Sequence, residues 1–258
     1  MTSPKAVKGM NKAITKATIP GLFVTGTDTG IGKTIVAAAI AAILRAEGMD
    51  VGVWKPVQSG EKIGNGMTDA ERLLHLSGIH DRPEVVAPFT FEAPLTPMLA
   101  AKQSGVALTL KELIAAGAPL VDRYQALIVE GAGGVAVPLT EDAFVADFIA
   151  ELRMPAVIVA RSGLGTINHT LLTVSYLKKL GVHIIGIIMN DIEHIETIDD
   201  PSMAHNAELI ERYSGLKVLG RIPRLDNAGY SVTLIPIFRE KIELAPIRDA
   251  IAAQIMGG

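Results

Sequence analysis

The feature that most constrains this chain is the run Gly26-Thr27-Asp28-Thr29-Gly30-Ile31-Gly32-Lys33-Thr34, set between an apolar stretch, Leu22–Thr25, and a helical one. A strand passing through a glycine-rich loop into a helix turns successive backbone N–H groups inward. The helix N-terminus adds positive potential. This is the context of a phosphate-binding P-loop. Residues Thr27 to Thr34 would then hold a nucleotide by its phosphates, with Lys33 reaching the β- and γ-phosphates and the Thr34 hydroxyl offered to Mg²⁺. Gly26 lies one residue earlier than the general pattern has it, and Thr27 takes the usual glycine position. The plainer alternative is a glycine-rich turn that only starts a helix.

The rest of the chain repeats strand and helix. Apolar runs at Leu22–Thr25, Val51–Trp54, Ala126–Val129, Ala156–Val159, Ile184–Met189 and Val218–Gly220 read as strands. Most are continuous rather than alternating, as expected of strands buried on both faces. Helical segments fall near Thr34–Ala46, Asp69–Ser77, Leu110–Val121, Ala143–Leu152, Asn168–Leu180, Ala204–Tyr213 and Ala245–Ile255. The alternation implies an α/β fold: one doubly wound, mostly parallel sheet with helices on both faces. With 258 residues, a single domain over 21–258 is the simplest organisation, after a flexible lead-in over Met1–Pro20.

Composition narrows the function. The net charge of −3 and the absence of a basic stripe exclude the electrostatic footprint of a nucleic-acid binder. No apolar run reaches the roughly 18 residues of a membrane span. There is no cysteine, so disulfides, thiolate metal sites and thiol nucleophiles drop out together, and a reducing cytoplasm is the expected location. None of the six histidines has metal-ligand spacing; His169 reads as a surface or capping residue, with contact to a substrate as the alternative.

Three further places carry chemistry. The strand Ala126–Val129 ends in Glu130 and runs into Gly131-Ala132-Gly133-Gly134. A strand-end carboxylate can orient Mg²⁺, and bare backbone around Gly133 admits a substrate. Asp69 opens a helix, as a metal ligand or as a plain N-cap. With Thr34 they make a sufficient Mg²⁺ set. Lys55 ends the second strand in Lys55-Pro56-Val57-Gln58-Ser59-Gly60, where a second cation would stabilise charge on a transferring phosphoryl group. The commoner fate of such a lysine is solvation at a strand end.

Gly-Thr-Asp-Thr-x-x-Gly-Lys-Thr, Lys-Pro-Val-x-Ser-Gly, Val-Glu-Gly-Ala-Gly-Gly, Leu-Gly-Thr-Ile-Asn-His and Asn-Asp occur in this order between about Leu22 and Leu225. This set resembles the dethiobiotin synthetases, whose loop spacing also has the early glycine. The resemblance implies an ATP-dependent cyclo-ligase of biotin biosynthesis. It would act on 7,8-diaminononanoate, CO₂ and MgATP through a carbamate and a phosphorylated carbamate. It also implies roles: Lys33, Thr29 and Lys55 in catalysis, Thr29, Lys55 and Ser59 on the carbamate and γ-phosphate, Asn190 on the adenine edge and Pro223 beside the base. Gly165, Thr166, Ile167 and Asn168 would bind the substrate's carboxylate tail across a homodimer interface. Asn168 reads more plainly as an N-cap.

Two departures stand out. Gly30 occupies a place where some relatives carry glutamate. Leu209 occupies one where some carry a tyrosine, and Tyr213 lies one turn further on. Two rival readings remain. A partition-type switch ATPase would carry a signature lysine near Asp28. An amidoligase of the same fold would add a glutaminase domain with a nucleophilic cysteine, and this chain has neither the length nor the cysteine.

Overall fold

A computed structural model describes residues 19–191, 200–224 and 230–257, so the lead-in lies almost wholly outside the described residues. The first half contains β1 (Gly21–Gly26), α1 (Lys33–Ala46), β2 (Val51–Trp54), β3 (Val57–Ser59), α2 (Asp69–Ser77), α3 (Pro83–Val86), β4 (Phe89–Phe91), α4 (Pro97–Gln103), α5 (Leu110–Ala116) and α6 (Ala118–Val121). The second half contains β5 (Ala126–Glu130), α7 (Val145–Leu152), β6 (Ala156–Arg161), α8 (Thr166–Lys179), β7 (Ile184–Asn190), α9 (Asn206–Ser214), β8 (Val218–Ile222), α10 (Tyr230–Lys241) and α11 (Ala245–Gly257).

Six strands form one parallel sheet in the order β2-β5-β1-β6-β7-β8. Successive side chains of a strand point to opposite faces. Leu22 and Val24 of β1 therefore join one core with Ile40 of α1, Phe238 of α10 and Ile251 of α11, while Phe23 joins the other with Leu113 of α5, Phe148 of α7 and Leu177 of α8. Every position of the strand is buried, which is why the sequence runs unbroken in apolar residues. On the second face the Phe148 ring stands edge-on to Phe23 at 6.2 Å and to Trp54 at 5.9 Å, an orientation favoured by the ring quadrupoles.

The expected strands and doubly wound architecture are present, with local differences. The single helix read over Leu110–Val121 is two, α5 and α6, meeting at Gly117. A Cβ there would come within 2.6 Å of the Trp54 ring, so the chain turns where only glycine clears the indole. α7 begins at Val145, not Ala143. β3 and β4 add a small parallel pair, and α10 is an extra helix that runs through Pro236.

Because all six strands run the same way, the carboxyl ends of β1, β2, β5, β6 and β7 share one edge. Ligands of open α/β sheets bind at that edge. No helix among the described residues is long and apolar enough to cross a membrane.

Candidate active site

The loop after β1 is held from below and behind. Thr27 donates its N–H to Val159 O at 3.0 Å, anchoring the loop to β6. Gly30 and Gly32 take left-handed backbone, with φ of 73° and 88°. At Gly32 a side chain is excluded twice, since a Cβ would also lie 2.1 Å from Asn190 Nδ2. Lys33 reaches back over the loop and donates to Asp28 O at 2.7 Å. Burial, and then the neighbouring Lys55 cation, push its pKa down to about 8 against the pull of Glu130 and Asp69.

Next to it lies a compact cluster of charge. Lys55 is only 2% exposed and donates to Glu130 Oε1 at 2.8 Å and to Gly131 O at 3.1 Å; its ammonium stands 2.8 Å from Asp69 Oδ2. The Thr34 hydroxyl donates toward Glu130 Oε1 at 3.0 Å and Asp69 Oδ1 at 3.2 Å. Burial works against the Lys55 cation, but the two carboxylates outweigh it and hold its pKa above the ordinary lysine value. Lys55 holds Asp69 below the usual carboxylate range, while burial raises Glu130. Lys55 is thus a fixed cation and not a solvated strand-end residue.

Asp69 owes its position to its neighbours. The N-cap of α2 is Thr68, which accepts from Glu71 N while Glu71 accepts from Thr68 N, a reciprocal capping box. Asp69 is therefore not the cap, and its carboxylate is left for Lys55 and Thr34. Gln58, buried in β3, accepts from Ala70 N at 3.0 Å and donates to Thr90 Oγ1 at 2.9 Å, tying the start of α2 to β3 and β4.

Among the described residues no three His, Cys, Asp or Glu side chains converge, and the oxygens that do meet here are those of two carboxylates and the Thr34 hydroxyl. Thr34, Asp69 and Glu130 offer oxygen donors only, and Glu130 Oε2 is buried without a hydrogen-bond partner. A hard donor set with a spare carboxylate oxygen suits Mg²⁺.

These groups form one wall of a cavity of about 730 Å³. Of the residues singled out in the sequence, Thr29, Gly30, Gly32, Lys33, Thr34, Lys55, Ser59, Asp69, Glu130, Gly133 and Asn190 line it. Ile31 is buried beneath the loop, and Asn190 donates to its carbonyl at 2.9 Å. The Ser59 hydroxyl donates to Leu95 O at 2.7 Å. Gln58, Arg72 and the stretch Pro94 to Pro97 also line the cavity and were not singled out. Gln58 fills the variable place in Lys-Pro-Val-x-Ser-Gly, so the motif is silent about it. Arg72 follows Asp69 at helical i+3 spacing, a signal that was available.

The family model described as an AAA domain matches residues 20–230. The ATP-dependent dethiobiotin synthetase BioD of Bacillus licheniformis is 46% identical over 208 residues, covering 81% of this chain and 87% of that protein. The protein of the same description from Bacillus cereus strain B4264 is 45% identical over 231 residues, covering 90% and 94%. This chain belongs to the dethiobiotin synthetase family. It is, with that family, an ATP-dependent ligase that forms C–N bonds. The MinC:MinD cell division complex of Aquifex aeolicus matches in fold alone, with a TM-score of 0.51, 14% identity and coverage of 92% of this chain and 96% of that one. MinD of the same organism matches with a TM-score of 0.50 and 15% identity, covering 92% and 97%.

Two sets of residues to which the resemblance gives roles lie away from the cavity. Pro223 is exposed just beyond β8 and is not part of the lining. Gly165, with φ of 89°, is the N-cap of α8, so Asn168 is a first-turn residue and not the cap. Asn168 is exposed, Thr166 is fully buried and Ile167 is half-buried. None of Gly165 to Asn168 lines the cavity.

Proposed function

We propose that this chain closes the ureido ring of dethiobiotin from 7,8-diaminononanoate, CO₂ and ATP, releasing ADP and phosphate. The observation that carries the reading is the cluster of buried Lys33, Thr34, Lys55 and Glu130 with half-buried Asp69 at the carboxyl edge of a parallel sheet, in a chain of this family. One amine takes up CO₂ and loses a proton to give a carbamate. A carbamate oxygen attacks the γ-phosphorus, ADP leaves, and a mixed anhydride remains. The second amine then attacks the carbamoyl carbon, and phosphate leaves as the ring closes. Such a sequence demands placement of charge more than proton shuttling.

The residues divide that work. Thr29, Gly30, Gly32 and Lys33, which line the cavity, would meet the phosphates with backbone N–H groups and one ammonium, while Thr27, Asp28 and Ile31 lie outside the lining. Lys55, locked in the charged form by Asp69 and Glu130, serves as an electrostatic stabiliser of the transferring group and not as a base. Thr29 and Ser59 stand on the cavity wall where a carbamate would lie, and Gly133 opens the backbone beside them. Asn190 holds the underside of the loop and presents the end of β7 to the base. Thr34, Asp69 and Glu130 would hold Mg²⁺, which supplies charge neutralisation between the phosphates.

The carboxylate tail is assigned to Gly165–Asn168 of a second copy. The support is that α8 starts outside the cavity, beside the exposed apolar side chains Leu164 and Leu172. The single domain over 21–258 belongs to the same reading.

The test is phosphate release from MgATP with and without 7,8-diaminononanoate plus bicarbonate, with the product weighed by mass spectrometry. Release that needs both, with dethiobiotin formed, is the expected result. Release that ignores the diamine would leave only an ATPase.

A further inference from the structure

The phosphate loop contains an acid. Asp28 lies in the middle of a segment built to hold anions, where a carboxylate repels the ligand. The geometry points to Arg161 as the residue that cancels it: we infer that Arg161 sets the affinity for nucleotide phosphates by neutralising Asp28, without touching the nucleotide. The inference rests on the reading of this cavity as an ATP site.

The register of the sheet places the pair. Gly26 lies opposite Val159 in the parallel pairing of β1 with β6. Two residues beyond Gly26 the chain has left β1 and reaches Asp28 in the phosphate loop, while two residues beyond Val159 β6 ends at Arg161, so loop and strand end lie side by side. Arg161 Nη2 donates to Asp28 Oδ2 at 2.6 Å. The other carboxylate oxygen accepts from Thr29 N at 2.8 Å, and the Asp28 carbonyl accepts from Lys33 Nζ at 2.7 Å. One residue is thus joined to the loop's backbone, its lysine and an arginine from another strand. Neither Asp28 nor Arg161 lines the cavity. Their influence on a ligand passes through the field and the loop, which makes Arg161 a positioning residue.

The charge arithmetic is simple. With Arg161 the pair is neutral, and no acid of the loop itself offsets the charge of Lys33. Without it, the Asp28 carboxylate is uncompensated and offsets the positive charge that Lys33 brings to the loop. Repulsion grows with the number of phosphate charges and shrinks as salt screens it.

The experiment is nucleotide binding by calorimetry for Arg161→Gln, Arg161→Lys, Asp28→Asn and the double variant Arg161→Gln/Asp28→Asn, each first checked for an unchanged melting profile. Arg161→Gln is expected to weaken ATP by roughly five- to tenfold, weaken ADP less, and lose part of its effect at high salt. Arg161→Lys is expected to keep most of the affinity. The double variant is expected to bind ATP within about twofold of the parent, because removing the acid removes the need for its counter-charge. Unchanged ATP affinity in Arg161→Gln overturns the inference. So does a double variant as weak as Arg161→Gln, since that result makes the pair a mechanical tie. If the parent chain does not bind ATP at all, the reading of the cavity fails instead, and the variants are not needed to show it.

Discussion

Helices α1 and α8 start alike and end up in opposite circumstances. Each begins after a glycine in left-handed backbone, Gly32 with φ of 88° and Gly165 with φ of 89°, and neither has a side-chain cap or an acid in its first turn. Locally both are open N-termini of the kind that attract anions. At α1 the first turn is buried, and two lysines and two carboxylates are packed around it. At α8 the approach is exposed, with Leu164 at 80% accessibility, and the preceding turn is held from below, by Asn206 Nδ2 donating to Ser162 O and Leu164 N donating to Asp200 Oδ2. The same backbone device is therefore complete in one place and unfinished in the other. What differs is the surroundings supplied by distant strands.

Variants can break or sharpen that contrast. The largest effect is expected from Lys55→Ala. It strands two carboxylates against each other, one fully buried, which should lower stability by about 3–5 kcal/mol in chemical denaturation. Turnover should fall by about 10² or more, with nucleotide binding largely kept. A variant that folds as stably and turns over as fast would show that the completeness of the α1 site does not matter.

Glu130→Gln keeps the shape and removes the charge. We expect the Mg²⁺ concentration for half-maximal turnover to rise at least about tenfold, and an unaltered Mg²⁺ titration would remove Glu130 from the metal shell. Leu172→Asp addresses the other helix. If a second copy covers α8, sedimentation should show dissociation to monomer, with ATP binding by the α1 site preserved. A variant with the parent's sedimentation and turnover would mean that α8 is left open in solution.

The smallest change is Gly30→Ala. Nothing lies within 4 Å of a Cβ built there, so the cost is only that of a left-handed φ of 73°, about 1 kcal/mol by thermal unfolding.

The sequence revealed the strands well, because a strand buried on both faces needs apolar residues at every position, as Leu22 to Val24 show. It also revealed the cluster of Lys33, Thr34, Asp69 and Glu130, because each ends a strand or starts a helix beside a recognisable loop. It did not reveal β3, which follows Pro56 and has only three residues, nor α10, where Pro236 reads as a helix breaker. The break at Gly117 was hidden because its cause is the ring of Trp54, far away in the chain. Gln58 and Arg161 escaped for the same reason. Gln58 matters through α2 and β4, and Arg161 through Asp28 in the loop after β1. Composition and spacing hold no record of such pairings.

The central place of β1 has a consequence for how the chain comes to be folded. Its two neighbours in the sheet are made long after it, with Gly21 set opposite Leu127 and Phe23 opposite Ala156. A chain emerging during synthesis carries its phosphate loop early but must wait for β5 and β6 before that loop has walls. Closing such long loops slows folding. Nucleotide binding should therefore be among the last properties to appear in refolding, and a truncation before β6 should lack it entirely.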